Sequence, residues 1–437
     1  MDDDTLGRAW RDDAPWELLT DLAATERFGG HPGERHAAER VREALEAAGL
    51  DTRIEPFGMQ RWTRGGTRLS VDTDPARSFE AVALPYSPPA DVTGQLVDAG
   101  YGTPGDCEGV DGGVAVASTA TPPDADRHVH RMEKCGHAAD SGARAVVFAS
   151  HRPGQLPPTG ALRFGEEANT PAVGVSHETG EWLRRYADRG AEASLGVDAT
   201  TEAGESQNVR ATLGPDTDEA VLLVAHYDAH DVGEGALDNG CGVATMVGAV
   251  RALVGVSLDR RVEVAAVGCE EVGLLGAEAL AESVDTDRVR AVVNVDGAGR
   301  FRDLRAVTHG SEDLRETVER VADEVPDPVA VGEQPHPYSD HWPFLRRGIP
   351  ALQLHSSRPG EDGVWERGWT HTRADTLDKA DPRSVRTHTV LAALLVERVA
   401  AGSFGGIEPA ALRGLLRDAG AEPGMRAAGV WPERWTG

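Results

Sequence analysis

The stretch Ala220-Val-Leu-Leu-Val-Ala-His226-Tyr-Asp228 joins an unbroken apolar run to two side chains of metal-binding type. A short apolar run bounded by polar residues fits a strand buried on both faces. Alternate side chains of a strand share a side, so His226 and Asp228 can face one site. A histidine that ligates a metal needs a group to hold its second ring nitrogen, and Asp228 is placed to do so.

Reading outward, strand and helix patterns alternate. Helices are expected over 242–253, 274–283, 311–325 and 384–400, with strands over 262–267, 291–295 and 351–354. This alternation predicts an α/β fold: a mostly parallel mixed sheet flanked by helices. Ligands of such sheets sit beyond the carboxyl ends of the strands. Those ends carry the polar residues here. The second strand runs into Cys269-Glu270-Glu271, where adjacent carboxylates point apart, so one can bind metal while the other stays free as a base. The third ends at Asn294-Val-Asp296. Between the first two, Gly235-Ala-Leu-Asp238-Asn-Gly240 forms a loop whose glycines permit tight turns, and a carboxylate there can bridge two ions. Trp369-Thr-His371-Thr-Arg-Ala-Asp375 adds a loop histidine. Each piece alone is weak; three consecutive strand ends and a closing histidine form a joint pattern.

On the N-terminal side, 37–48 reads as an amphipathic helix and 52–57 as a strand. Between 62 and 203 the texture changes to short alternating runs cut by Gly, Pro and Asp, with a helix over 128–141. That suits a small β-rich domain. The expected organisation is 1–61 and 204–404 as the two parts of the main domain, 62–203 as an insert and 405–437 as an extension with a helix over 409–419.

The formal net charge of −28 over 437 residues disfavours nucleic acid, whose phosphates such a surface repels. Lys134 and Lys379 are the only lysines; the other basic residues are arginine. That balance fits a protein working in molar intracellular salt, where the Debye length falls to ~3 Å. No apolar run approaches the roughly 18 residues of a membrane span. No secretory signal is visible after Met1-Asp-Asp-Asp4, so a cytoplasmic setting with Cys107, Cys135, Cys241 and Cys269 as free thiols is expected. Cys241 and Cys269, beside the polar strand ends, read as small packing residues.

The motifs Ala225-His-Tyr-Asp228, Gly235-Ala-Leu-Asp238-Asn-Gly-Cys-Gly242, Glu270-Glu-Val-Gly-Leu-Leu-Gly276, Asn294-Val-Asp296, His371-Thr-Arg-Ala-Asp375-Thr and Ser339-Asp-His-Trp-Pro-Phe344 together resemble the co-catalytic zinc aminopeptidases, a family that includes glutamate carboxypeptidase. The resemblance runs from Ala14 to about Gly402, and 62–203 resembles a protease-associated domain inserted in the peptidase. It implies two Zn2+ ions, with Co2+ or Mn2+ as substitutes. Asp238 would bridge them, His226 and Asp296 would hold one, and Glu271 and His371 the other. Glu270 would be the general base and Asp228 the orienter of His226. The implied activity is removal of N-terminal residues from a peptide substrate, by a water that the two ions share and Glu270 deprotonates. Dipeptidase or carboxypeptidase action on the same fold, a one-zinc glutaminyl-cyclase-like acyltransferase and a non-enzymatic receptor are the competing readings. The oligomeric state is open, a homodimer being one option. Asp340 and His341 resemble a pocket wall with a structural role. His309, His336 and His388 fit no motif and read as solvent or packing histidines.

Overall fold

A computed structural model describes residues 1–154, 156–357 and 368–435. The apolar run that opened the reading is the strand Ala220–His226, with every residue buried. It lies between two parallel neighbours, Arg261–Val267 and Val289–Val295, with His226 opposite Val267 and Val224 opposite Asn294. This register brings the three carboxyl ends level. Beyond Val289–Val295 come Ala351–Ser357 (parallel), Asp303–Val307 (antiparallel) and Val329–Gly332. On the other side the end of Glu192–Leu213 runs antiparallel to Arg261–Val267. The sheet is therefore mixed, with a parallel centre.

Buried side chains of the helices Pro32–Ala47, Cys241–Leu253, Glu312–Glu324 and Pro382–Ala401 form one apolar core with the strands, through residues such as Val41, Met246, Val318 and Leu395. Cys241–Leu253 is buried nearly all round, as its even apolar composition requires. Pro32 starts its helix earlier than the expected 37–48, since a proline at the first turn lacks only an N–H that needs no partner.

The chain divides into two compact units. One comprises Met1–Gly58, Glu205–Thr370 and Asp375–Leu415; the other comprises Met59–Gly204, His371–Ala374 and Leu416–Gly437. In the second unit Ala90–Asp98, Val114–Ser118, Ala145–Ala149 and Ala172–Val175 pair in parallel order. The helices Arg131–Asp140 and His177–Ala187 belong to this unit. Its core gathers Leu84, Ala115, Cys135, Phe148 and their neighbours. Helix Glu422–Ala427 packs on Arg131–Asp140 so closely that a Cβ at Gly136 would lie 2.3 Å from the Ala427 carbonyl oxygen. Lys134 is buried there, and its Nζ donates to the Ser118 and Ala120 carbonyls at 2.7 and 2.5 Å. Among the described residues, no helix is long and apolar enough to cross a membrane.

Candidate metal centre

The strand ends bring His226, Asp238 and Asp296 together, each offering a ligand atom within 4.8 Å of the others. Nε2 of His226 lies 3.6 Å from Oδ1 of Asp238 and 3.7 Å from Oδ1 of Asp296. These separations are too long for hydrogen bonds. They suit atoms sharing one ion: two ligands ~2.1 Å from a tetrahedral zinc stand about 3.4 Å apart. The donor set thus fits a divalent cation. Burial alone would lower the His226 pKa, but Glu270, Asp228, Asp238 and Asp296 reverse this and raise it well above the ordinary value, so the pocket favours positive charge.

Each member is held from behind. Nδ1 of His226 faces Oδ1 of Asp228 at 3.4 Å. Asp296 accepts from Ser339 Oγ at 2.5 Å and from Gln353 Nε2 at 3.4 Å; Ser339 in turn accepts from Asn294 Nδ2. The Asp238 loop is fixed by Asp375, whose two oxygens accept the amides of Leu237 and Asp238 at 2.7 and 3.1 Å. Gly235 opens that loop at φ +60°, and a Cβ there would meet the Ala229 Cβ at 2.3 Å, so the turn requires glycine.

Glu270 and Glu271 leave the neighbouring strand end. Burial, followed by the charges of Glu271, Asp296 and Asp340 and opposed by His226, holds the Glu270 carboxyl well above its usual range, which improves it as a proton acceptor. Glu271 meets Nε2 of His230 at 2.8 Å. His371 has φ +58° and packs within its own unit: its Nδ1 lies 3.3 Å from the Thr159 carbonyl, and its carbonyl accepts from the Thr159 amide. Asp340 and His341 are fully buried.

Several contributors lie outside the expected ligand set. His230 follows the strand end and pairs with Glu271. Arg27, 2% exposed, donates to the carbonyls of Tyr227, Glu234 and Gly235 at 2.7, 2.6 and 2.6 Å, bracing the chain on both sides of the loop before Asp238. A buried arginine spending its donors on carbonyls is visible only once the chain has folded. Cys241 and Cys269 are buried free thiols.

His388 is a packing residue: it accepts from the Gly299 amide through Nδ1 and pairs with the Arg302 carbonyl through Nε2. His309, His336 and His341 form a second histidine group. The rings of His309 and His341 stack at 3.9 Å with planes 20° apart. Their in-plane lone pairs therefore lie on separate levels, and one ion cannot take both without a ring turning.

A mixed sheet whose central strands end in a shared histidine–carboxylate cluster, with the Glu270–Glu271 pair beside it, is the architecture of a metal-dependent hydrolase. Residues 208–396 match the model of peptidase family M28, and 92–183 match that of the PA domain. The chain is 25% identical over 369 residues to aminopeptidase YwaD of Bacillus subtilis, spanning 80% of this chain and 76% of that one. It is 26% identical over 394 residues to leucine aminopeptidase 2 of Trichophyton equinum, spanning 83% and 77%. The solved structure of BSAP, a zinc aminopeptidase from Bacillus subtilis, superposes with a TM-score of 0.71 at 25% identity over 91% of this chain and 95% of its own.

Proposed function

We propose that the chain is an aminopeptidase that uses two zinc ions to release N-terminal residues from peptides. The observation that carries this reading is Nε2 of His226 standing 3.6 and 3.7 Å from the Asp238 and Asp296 carboxylates. His226 and Asp296 would hold one ion, Glu271 and His371 the other, with Asp238 shared. The ions, when bound, acidify a water and polarise the scissile carbonyl. Glu270 accepts the water's proton and returns it to the departing amine. Asp228 keeps His226 in the orientation and tautomer that present Nε2. The aminopeptidase names of the relatives support attack at the amino end.

The reading extends to setting. The charge of −28 and a basic complement that is almost wholly arginine support work in concentrated salt. The four buried free thiols support an intracellular compartment. We take residues 62–203 as an insert without chemistry of its own, and a homodimer as the assembly to test.

The deciding experiment assays aminoacyl anilides and N-blocked dipeptides in molar salt, with and without a chelator, alongside a metal count. Cleavage of the unblocked substrates alone, lost on chelation and restored by zinc, is expected. Equal turnover of blocked substrates, or turnover that survives metal removal, overturns the proposal.

A further inference from the structure

We infer that Glu34 is a positioning residue for the general base Glu270; the inference rests on the assignment of Glu270 as that base. Glu34 lies in the first turn of helix Pro32–Ala47, outside both matched regions, and is 1% exposed. Its Oε1 accepts from the Cys269 amide at 3.0 Å and from the Cys269 thiol at 3.4 Å. Its Oε2 accepts from the Gly30 amide at 2.7 Å, and Ser206 Oγ lies 2.9 Å from both oxygens. The next two amides, of Glu270 and Glu271, go to the two oxygens of Asp228 at 3.0 and 3.2 Å. Two carboxylates 194 residues apart in the chain thus take three successive N–H groups of the turn that carries the base.

The turn needs such a hold. Cys269 has φ +57°, a left-handed conformation that a residue with a Cβ adopts only when its surroundings enforce it. Glu34 also sets the residue before it: a Cβ at Gly268 would lie 2.5 Å from Glu34 Oε1 and 2.6 Å from Ser206 Oγ. Without Glu34, Cys269 relaxes toward negative φ, and the direction of Glu270 turns with it. A displacement of about 1 Å at a reacting group can cost ~100-fold in rate.

The test compares Glu34→Ala, Glu34→Gln, Glu34→Ala combined with Cys269→Gly, and Glu270→Gln, assayed on an aminoacyl anilide with zinc content measured in each. Glu34→Ala is expected to lower kcat about 100-fold with KM and zinc content little changed. Glycine adopts the left-handed conformation freely, so Cys269→Gly should restore about tenfold of the loss. Glu34→Gln keeps Oε1 for the Cys269 amide but turns an NH2 toward the Gly30 N–H; a loss nearer tenfold is expected. If the alanine variant does not fold, the isosteric glutamine variant carries the test. Wild-type kcat in a folded Glu34 variant, beside an inactive Glu270→Gln, overturns the inference. So does a loss that arises wholly from lost zinc. An active Glu270→Gln overturns the base assignment itself.

Discussion

Oδ1 of Asp228 stands 3.4 Å from Nδ1 of His226 and 3.0 Å from the amide nitrogen of Glu270. One carboxylate therefore couples the ring of a candidate metal ligand to the turn that carries the proposed base. Asp228→Asn would set an amide NH2 against a ring N–H or a backbone N–H. Zinc affinity should weaken by about 10- to 100-fold, with kcat falling alongside. A zinc titration against a competing chelator measures this; wild-type affinity in the variant removes the orienting role.

Glu270→Gln keeps the shape of the side chain and deletes its proton chemistry. Turnover should fall by at least ~100-fold while zinc content is unchanged. Steady-state kinetics beside metal analysis checks both halves.

His230 pairs with Glu271 at 2.8 Å, so it steadies one candidate ligand without sharing the His226 cluster. His230→Ala should weaken one of two zinc-binding steps, again by about 10- to 100-fold, and leave the other. Calorimetry should resolve a titration with one shifted phase; two equally shifted phases would contradict the separate roles.

Burial lowers the His388 pKa from 6.5 to about 4. A buried base that stays neutral in the fold protonates more readily when unfolded. Its contribution is complete above pH 6.5 and is lost as pH falls toward 4. The shift corresponds to roughly 3 kcal/mol at most. His388→Gln can still accept from Gly299 and donate to Arg302, and it does not titrate. Its stability should depend less steeply on pH between 4 and 6.5 than that of the wild type; parallel slopes in chemical denaturation would rule this out.

With a net charge of −28, self-repulsion opposes folding in dilute salt. Raising KCl from about 0.1 M to about 1 M cuts the screening length from ~10 Å to ~3 Å. The unfolding midpoint should rise over that range. A midpoint that is flat or falls would count against the high-salt setting.

Local pattern was enough for the frame of the protein. Apolar runs such as 220–225 can be buried only as strands or helices, and their lengths and punctuation told the two apart. The strand ends named His226, Asp228, Glu270, Glu271 and Asp296 as candidates, and the glycine-flanked loop named Asp238; short-range alternation put His226 and Asp228 on one side and turned Glu270 and Glu271 apart. Tertiary structure alone decided what holds them. Arg27 and Glu34 sit in Arg27-Phe-Gly-Gly-His-Pro-Gly-Glu34, which reads as a turn before a helix. They reach the site because the helix Pro32–Ala47 packs into the same apolar core as the strands. His230 meets Glu271 only after two strands have paired in register. A hydrogen bond between groups hundreds of residues apart has no local period to betray it, since burial brings the partners together and sequence spacing does not.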